Sequence, residues 1–227
     1  MMNKTTTILV LITMIFLSCK QGSESGPKSI SNTEKTIEKN KKSANSNDKS
    51  IYTKYEYTDS NGKSLIVQNS LPKGGIKYID PKGNEYVYAV FWTRIINETD
   101  DSVELKLKFP LDSYEIPGLP GKYYKTLIPP DTMTIQKIPL FNYGLKNLEP
   151  FYDKNIDKPS SLKKIIKPKE STGFYVVTFR LIGGDKYDVL RTELSLKGKN
   201  LFYKIRDKEI LCGSINYTPY KIKKCSK

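Results

Sequence analysis

The chain has 227 residues, with 38 Lys and Arg against 24 Asp and Glu, no His and a formal net charge of +14. The missing imidazole excludes the usual general base, metal ligand and triad member, and no GxSxG elbow, P-loop or CxxC pair occurs. Such a charge attracts polyanions and acidic surfaces at long range, although a Lys-, Asn- and Ile-heavy composition also follows from a nucleotide-biased genome.

The chain opens with Lys4 ahead of an apolar run over residues 8–17 that only Thr13 interrupts, closed by Ser18-Cys19. About ten apolar residues are roughly half of what a membrane-crossing helix needs, so residues 1–18 read as a signal peptide rather than a span. A small residue followed by Cys at the end of such a run looks like a bacterial lipobox, in which the Cys19 thiol is acylated and becomes the mature N-terminus. Two or three acyl chains hold a protein on its membrane for long times. Residues 19–50 then read as a lipidated tether. Ile30 and Ile37 are its large apolar residues, too few to offset the entropy of ordering, so disorder is expected. Fully extended, it would reach about 100 Å.

Residues 51–227 are expected to form one all-β domain, because the apolar period is 2 over most runs and Tyr, Ile, Val, Phe and Thr are abundant. Residues 52–58 and 64–68 flank Asp59-Ser60-Asn61-Gly62, a strong hairpin signal. Residues 86–96 read as a central strand, apolar on both faces through Trp92, and residues 103–109 alternate strictly. Asn97 to Ser102 between them supply turn chemistry, which predicts a hairpin. Residues 111–124 and 140–164 read as long irregular loops, with a short helical turn near residues 160–166. Two Pro-acid-hydroxyl phrases, at 128–132 and 166–171, precede expected strands at 133–138 and 174–182 and fit sheet crossings. Further strands are expected at 189–196, 201–205 and from 210 onward, with turns at 198–200 and 207–208. Eight to ten short strands of this kind predict an antiparallel β-sandwich of immunoglobulin-like type, with a barrel as the alternative.

The lipobox, the Lys/Ser/Asn tether and the segments YTDSNGKSL, LPKGGIKYIDPKGNEYVYAVFWTRIIN and DSVELKLKFP resemble the S2-type surface lipoproteins of Borrelia spirochaetes. The resemblance implies an antigen on the outer surface of the outer membrane and no catalytic residue.

No enzyme activity, cofactor or nucleic-acid partner is expected, and the head is expected to be monomeric. Three roles fit: binding a host protein, binding a polyanion such as a glycosaminoglycan, or structural support facing the periplasm. Lys163, Lys164, Lys167 and Lys169 have the basic spacing common in heparin-binding segments, and Lys221, Lys223 and Lys224 form a second cluster. Tyr123 and Tyr124 beside Lys122 and Lys125 offer either stacking faces or packing, and Trp92 reads as core. Residues 98–101 carry carboxylates of a kind that calcium uses, but Asp and Asn are expected in a hairpin loop without any ion, so no metal is expected there. With Cys19 acylated, Cys212 and Cys225 remain. A disulfide between them would contribute ~3 kcal/mol by loop closure, while the competing reading makes Cys212 a buried thiol in a strand. Cys19→Ala is expected to release the chain from the membrane; flotation of the variant that survives high-salt and alkaline washes would place the anchor elsewhere.

Overall fold

The computed structural model describes residues 49–59, 61–183 and 189–217. Two antiparallel sheets pack face to face as a β-sandwich. The first contains β1 (Ile51–Thr58), β2 (Ser64–Ser70), β3 (Lys73–Ile79), β4 (Glu85–Asn97), β6 (Lys125–Leu127) and β8 (Ser171–Leu181). The second contains β5 (Val103–Phe109), β7 (Ser160–Ile166), β9 (Thr192–Lys197), β10 (Asn200–Ile205) and β11 (Lys208–Tyr217). The strand order is β1-β2-β4-β8-β6 in the first, with β3 also on β4, and β7-β5-β11-β10-β9 in the second. β2 and β3 share one edge of β4, pairing with residues 93–97 and 85–90 respectively.

Alternation along β4 and β8 builds two cores. Phe91, Ile95, Phe174 and Val176 point between the sheets toward Leu105, Phe109, Leu194 and Tyr203. Val90, Trp92, Tyr175, Val177 and Phe179 point the other way. There a third layer covers them, made of a 3₁₀ turn at Ile135–Lys137, a second at Phe141–Gly144 and α1 (Glu149–Asn155). Tyr143, Leu145, Tyr152 and Ile156 are its buried contacts, with Tyr152 edge-on to Phe179 at 4.7 Å between ring centroids. Trp92 is thus core as expected, 1% exposed, but beneath the third layer rather than between the sheets.

The hairpins that turn on local chemistry form as expected. Gly62 adopts φ +73° and its N–H donates to the Asp59 carbonyl between β1 and β2. Gly198, at φ +60°, turns β9 into β10. The turn into β11 falls on Arg206-Asp207, one residue earlier than expected.

Four expectations are corrected. β4 and β5 are not a hairpin: they belong to different sheets, and residues 98–102 form a corner. Asn97 sets that corner, its Nδ2 donating to the carbonyls of Asp101, Ile166 and Lys167 while its Oδ1 accepts from the backbone and hydroxyl of Thr99. Residues 133–138 are not a strand. A single bridge, Thr132 to Phe174, precedes the first 3₁₀ turn, and Met133 lies on Gly173, where a Cβ would come within 2.8 Å of Met133 O. Residues 160–166 are strand β7, not a helical turn, because the free edge of β5 pairs with them along its whole length. The strand expected from residue 189 begins at Thr192. The crossing at residues 166–171 does carry the chain from β7 in the second sheet to β8 in the first. β3 and α1 were not foreseen.

Polar side chains of the first sheet also reach the second. Asn69 on β2 is 2% exposed. Its Nδ2 donates to Thr53 Oγ1 and Leu194 O, each at 3.0 Å, and its Oδ1 accepts from Thr93 Oγ1 at 3.0 Å and Leu194 N at 2.9 Å. Tyr57 accepts from the Leu196 N–H and Tyr55 donates to Glu193 along the same margin. Removing Asn69 leaves several buried groups unpaired, so Asn69→Ala is expected to cost about 3 kcal/mol in urea unfolding; a change under about 0.5 kcal/mol would show the bridge to be incidental.

Candidate binding face

The third layer covers the outer side of the first sheet and leaves the outer side of the second to solvent. Strand alternation decides what stands there. β7 presents Ser161, Lys163 and Ile165; β5 presents Glu104, Lys106 and Lys108; β11 adds Leu211, Ser214 and Asn216. On β10 and β9 the same side carries Phe202, Lys204, Glu193 and Lys197.

The three glutamates on this face each pair with lysines. Glu104 bridges Lys106 at 2.8 Å and Lys163 at 2.9 Å, Glu193 pairs with Lys204 at 3.4 Å, and Glu209 pairs with Lys197. Lys106 and Lys163 lie directly opposite on neighbouring strands, a repulsive arrangement that Glu104 relieves. The lysine side-chain hydrogen bonds, Lys106 first and then Lys163, hold the Glu104 carboxyl down at about 2. The apolar points are Ile165, 68% exposed on the outermost strand, and Leu211, 57% exposed and paired with Phe202 on β10. Lys197 sits 4.7 Å above the Phe202 ring.

The lysines singled out by spacing do not gather on this face. A strand period of 2 sends Lys163 outward and Lys164 to the half-buried opposite side. Lys167 is exposed in the turn after β7. Lys169, at φ +62°, donates from Nζ to the Glu98 carbonyl at 2.6 Å and pairs with Asp100 at 2.7 Å. Its ammonium therefore occupies the corner whose acids suited calcium, and it lowers the Asp100 carboxyl below its ordinary range. Lys221, Lys223, Lys224, Cys19 and Cys225 lie outside the described residues. Cys212 is buried on β11, its thiol donating to the Leu201 carbonyl at 3.4 Å, and burial pushes its pKa up to about 12.

Residues 111–124 border a cleft of about 600 Å³ at one end of the sandwich, between Tyr114, Glu115 and Pro117 on one side and Ile205, Arg206 and Asp207 on the other. Tyr114 closes its floor by donating to the Tyr203 carbonyl. Tyr124 is 5% exposed and packs in the core, whereas Tyr123 is half-buried, so the two do not form a stacking platform. Sequence reading missed Lys106, Lys108, Leu211 and Phe202 as parts of a common surface. Their alternation was visible, but their adjacency depends on β5 and β11 pairing across more than a hundred residues.

No family model matches the chain, and neither a curated protein nor a solved structure matches it.

The Glu104 pairs favour the folded state above the ordinary carboxyl range near 4.5, and that contribution is lost as pH falls through about 2. Lys163→Ala and Lys106→Ala are each expected to raise the Glu104 titration midpoint toward 4.5, read by carboxyl ¹³C NMR. A midpoint that stays at its starting value in both variants would show that the pairs do not form.

Proposed function

We propose that this chain is an exported bacterial lipoprotein, acylated at Cys19 and displayed on the outer surface of the outer membrane in the manner of the S2-type Borrelia lipoproteins it resembles. Its sandwich head is a monomeric, non-catalytic module that binds a host protein through the outer face of the second sheet. The observation that supports this reading is the combination of exposed Ile165 and Leu211 with fully paired glutamates on an open sheet face, while the opposite side of the sandwich is sealed by its own third layer. Protein interfaces need apolar anchors within a polar, charge-matched surround, and this face supplies both.

Glycosaminoglycan binding is the second reading, favoured by the close set of Lys106, Lys108 and Lys163. Glu104 opposes it, because a sulfated chain would compete with a carboxylate already seated between two of those lysines. A structural role facing the periplasm is the third.

Protease treatment of intact cells separates the third reading from the others, since a surface head is cut and a periplasmic one is not. The face itself is tested with Ile165→Asp plus Leu211→Asp in the full chain against immobilised serum and matrix proteins. Loss of about tenfold or more in affinity supports the face; binding that survives both substitutions overturns it. Glu104→Gln strengthening heparin retention at physiological salt would turn the assignment toward the glycosaminoglycan.

A further inference from the structure

The third layer carries a projecting apolar tip. Ile135, Leu140 and Phe141 are 53%, 49% and 75% exposed, and Pro139 is exposed between them. Such a cluster, four apolar residues within seven, needs an occupant.

The tip is held rigidly. Asn142, Tyr143 and Gly144 take φ of +46°, +55° and +79° in succession, a left-handed run that a tyrosine adopts only when its surroundings impose it. Those surroundings are specific. The Tyr143 hydroxyl donates to the Leu71 carbonyl at 2.7 Å, and the Tyr143 carbonyl accepts from the buried Tyr175 hydroxyl at 2.8 Å. Lys73 donates to the carbonyls of Ile138 and Leu140, at 2.7 and 2.8 Å, and lies 4.3 Å from the Tyr143 ring centroid. The strained turn buries Tyr143 and leaves Phe141, two residues earlier, in solvent.

The place where the chain enters the fold identifies the occupant. The Leu71 N–H donates to the Ser50 carbonyl at 2.9 Å, and the Leu71 carbonyl receives the Tyr143 hydroxyl. Ile51 packs on the same core as Tyr143 and Leu145. The described chain therefore enters the sandwich at Ser50 and Ile51, on the side that carries the tip and away from the outer face of the second sheet. The charge pattern agrees over the tip itself: residues 132–148, bounded by exposed Asp131 and Glu149, contain no Asp or Glu, and contain Lys137, whose Nζ donates to the Thr132 carbonyl, and exposed Lys146. Apolar side chains flanked by lysines and free of carboxylates suit the interface of a bilayer with anionic headgroups.

We propose that Ile135, Pro139, Leu140 and Phe141 insert shallowly into the surface of the bilayer that holds the chain's own lipid, and so orient the head with its second-sheet face directed away from the membrane. The proposal rests on the anchored reading of Cys19. The tether sets how far the head can travel; the tip sets which way it faces. Lipid attachment supplies a high local concentration of membrane, so a tip too small to bind vesicles from solution is sufficient in place.

The test uses the full chain, lipidated and reconstituted into vesicles of phosphatidylglycerol and brominated phosphatidylcholine. Phe141→Trp and Ile165→Trp place an indole at the tip and on the opposite face, over the shared background of buried Trp92. Both replace exposed side chains, so the fold is retained. The expected result is that bromine quenches the Phe141→Trp chain about twofold more than the Ile165→Trp chain. Equal quenching of the two variants in chains that float with the vesicles overturns the tip, whether a protein partner, a second copy or water covers it instead. Failure of the wild-type chain to float overturns the anchor, and the proposal falls with it.

Discussion

The two sheets of this sandwich depend on a buried amide. Asn69 sits where β2 faces β9, and its side chain completes hydrogen bonds to both the N–H and the carbonyl of Leu194 while also engaging Thr53 and Thr93. Side-chain groups on β1, β2 and β4 and the backbone of β9 are thereby satisfied by one residue. An apolar side chain of similar size would fill the space but leave the Leu194 backbone without partners in a medium that offers no water. Position across the sheets is consequently specified by polar geometry, and the surrounding Val67, Leu65, Leu194 and Leu196 supply the apolar burial that drives association.

A second constraint follows from β4. Its residues are apolar on both faces, so a two-layer sandwich would leave Trp92, Val90 and the tyrosines of β8 and β4 in water. Residues 131–158 solve this by folding back as a layer of short turns and one helix whose Tyr143, Tyr152 and Ile156 cap those side chains. The molecule becomes asymmetric in consequence. One outer face is sealed and ends in an apolar tip beside the chain's entry point; the other is an open sheet whose glutamates pair with lysines and which exposes Ile165 and Leu211. The two outer sides of the sandwich are thus differently furnished.

The electrostatics are local despite the large net charge. Glu104 between Lys106 and Lys163, and Asp100 with Lys169, use their lysines within the fold. Lysines on strands whose residues alternate in direction do not become a continuous basic track, because neighbouring residues on a strand project to opposite sides.

What the amino-acid sequence determined alone was whatever local chemistry decides. Period-2 alternation in residues 103–109, the Asn-Gly turn after Asp59 and the Gly198 turn each act over a few residues, so the all-β class, two of the hairpins and the doubly apolar central strand were legible. The tertiary structure decided what depends on partners far along the chain. Asn97 to Ser102 have turn chemistry that serves a hairpin or a corner equally, and the choice was made by the carbonyls of Ile166 and Lys167, which Asn97 reaches across about seventy residues. Residues 160–166 became a strand because β5 had an edge to fill. Once they did, Lys163 and Lys164 parted to opposite sides, and the basic cluster that spacing had suggested gave way to a surface assembled from five strands.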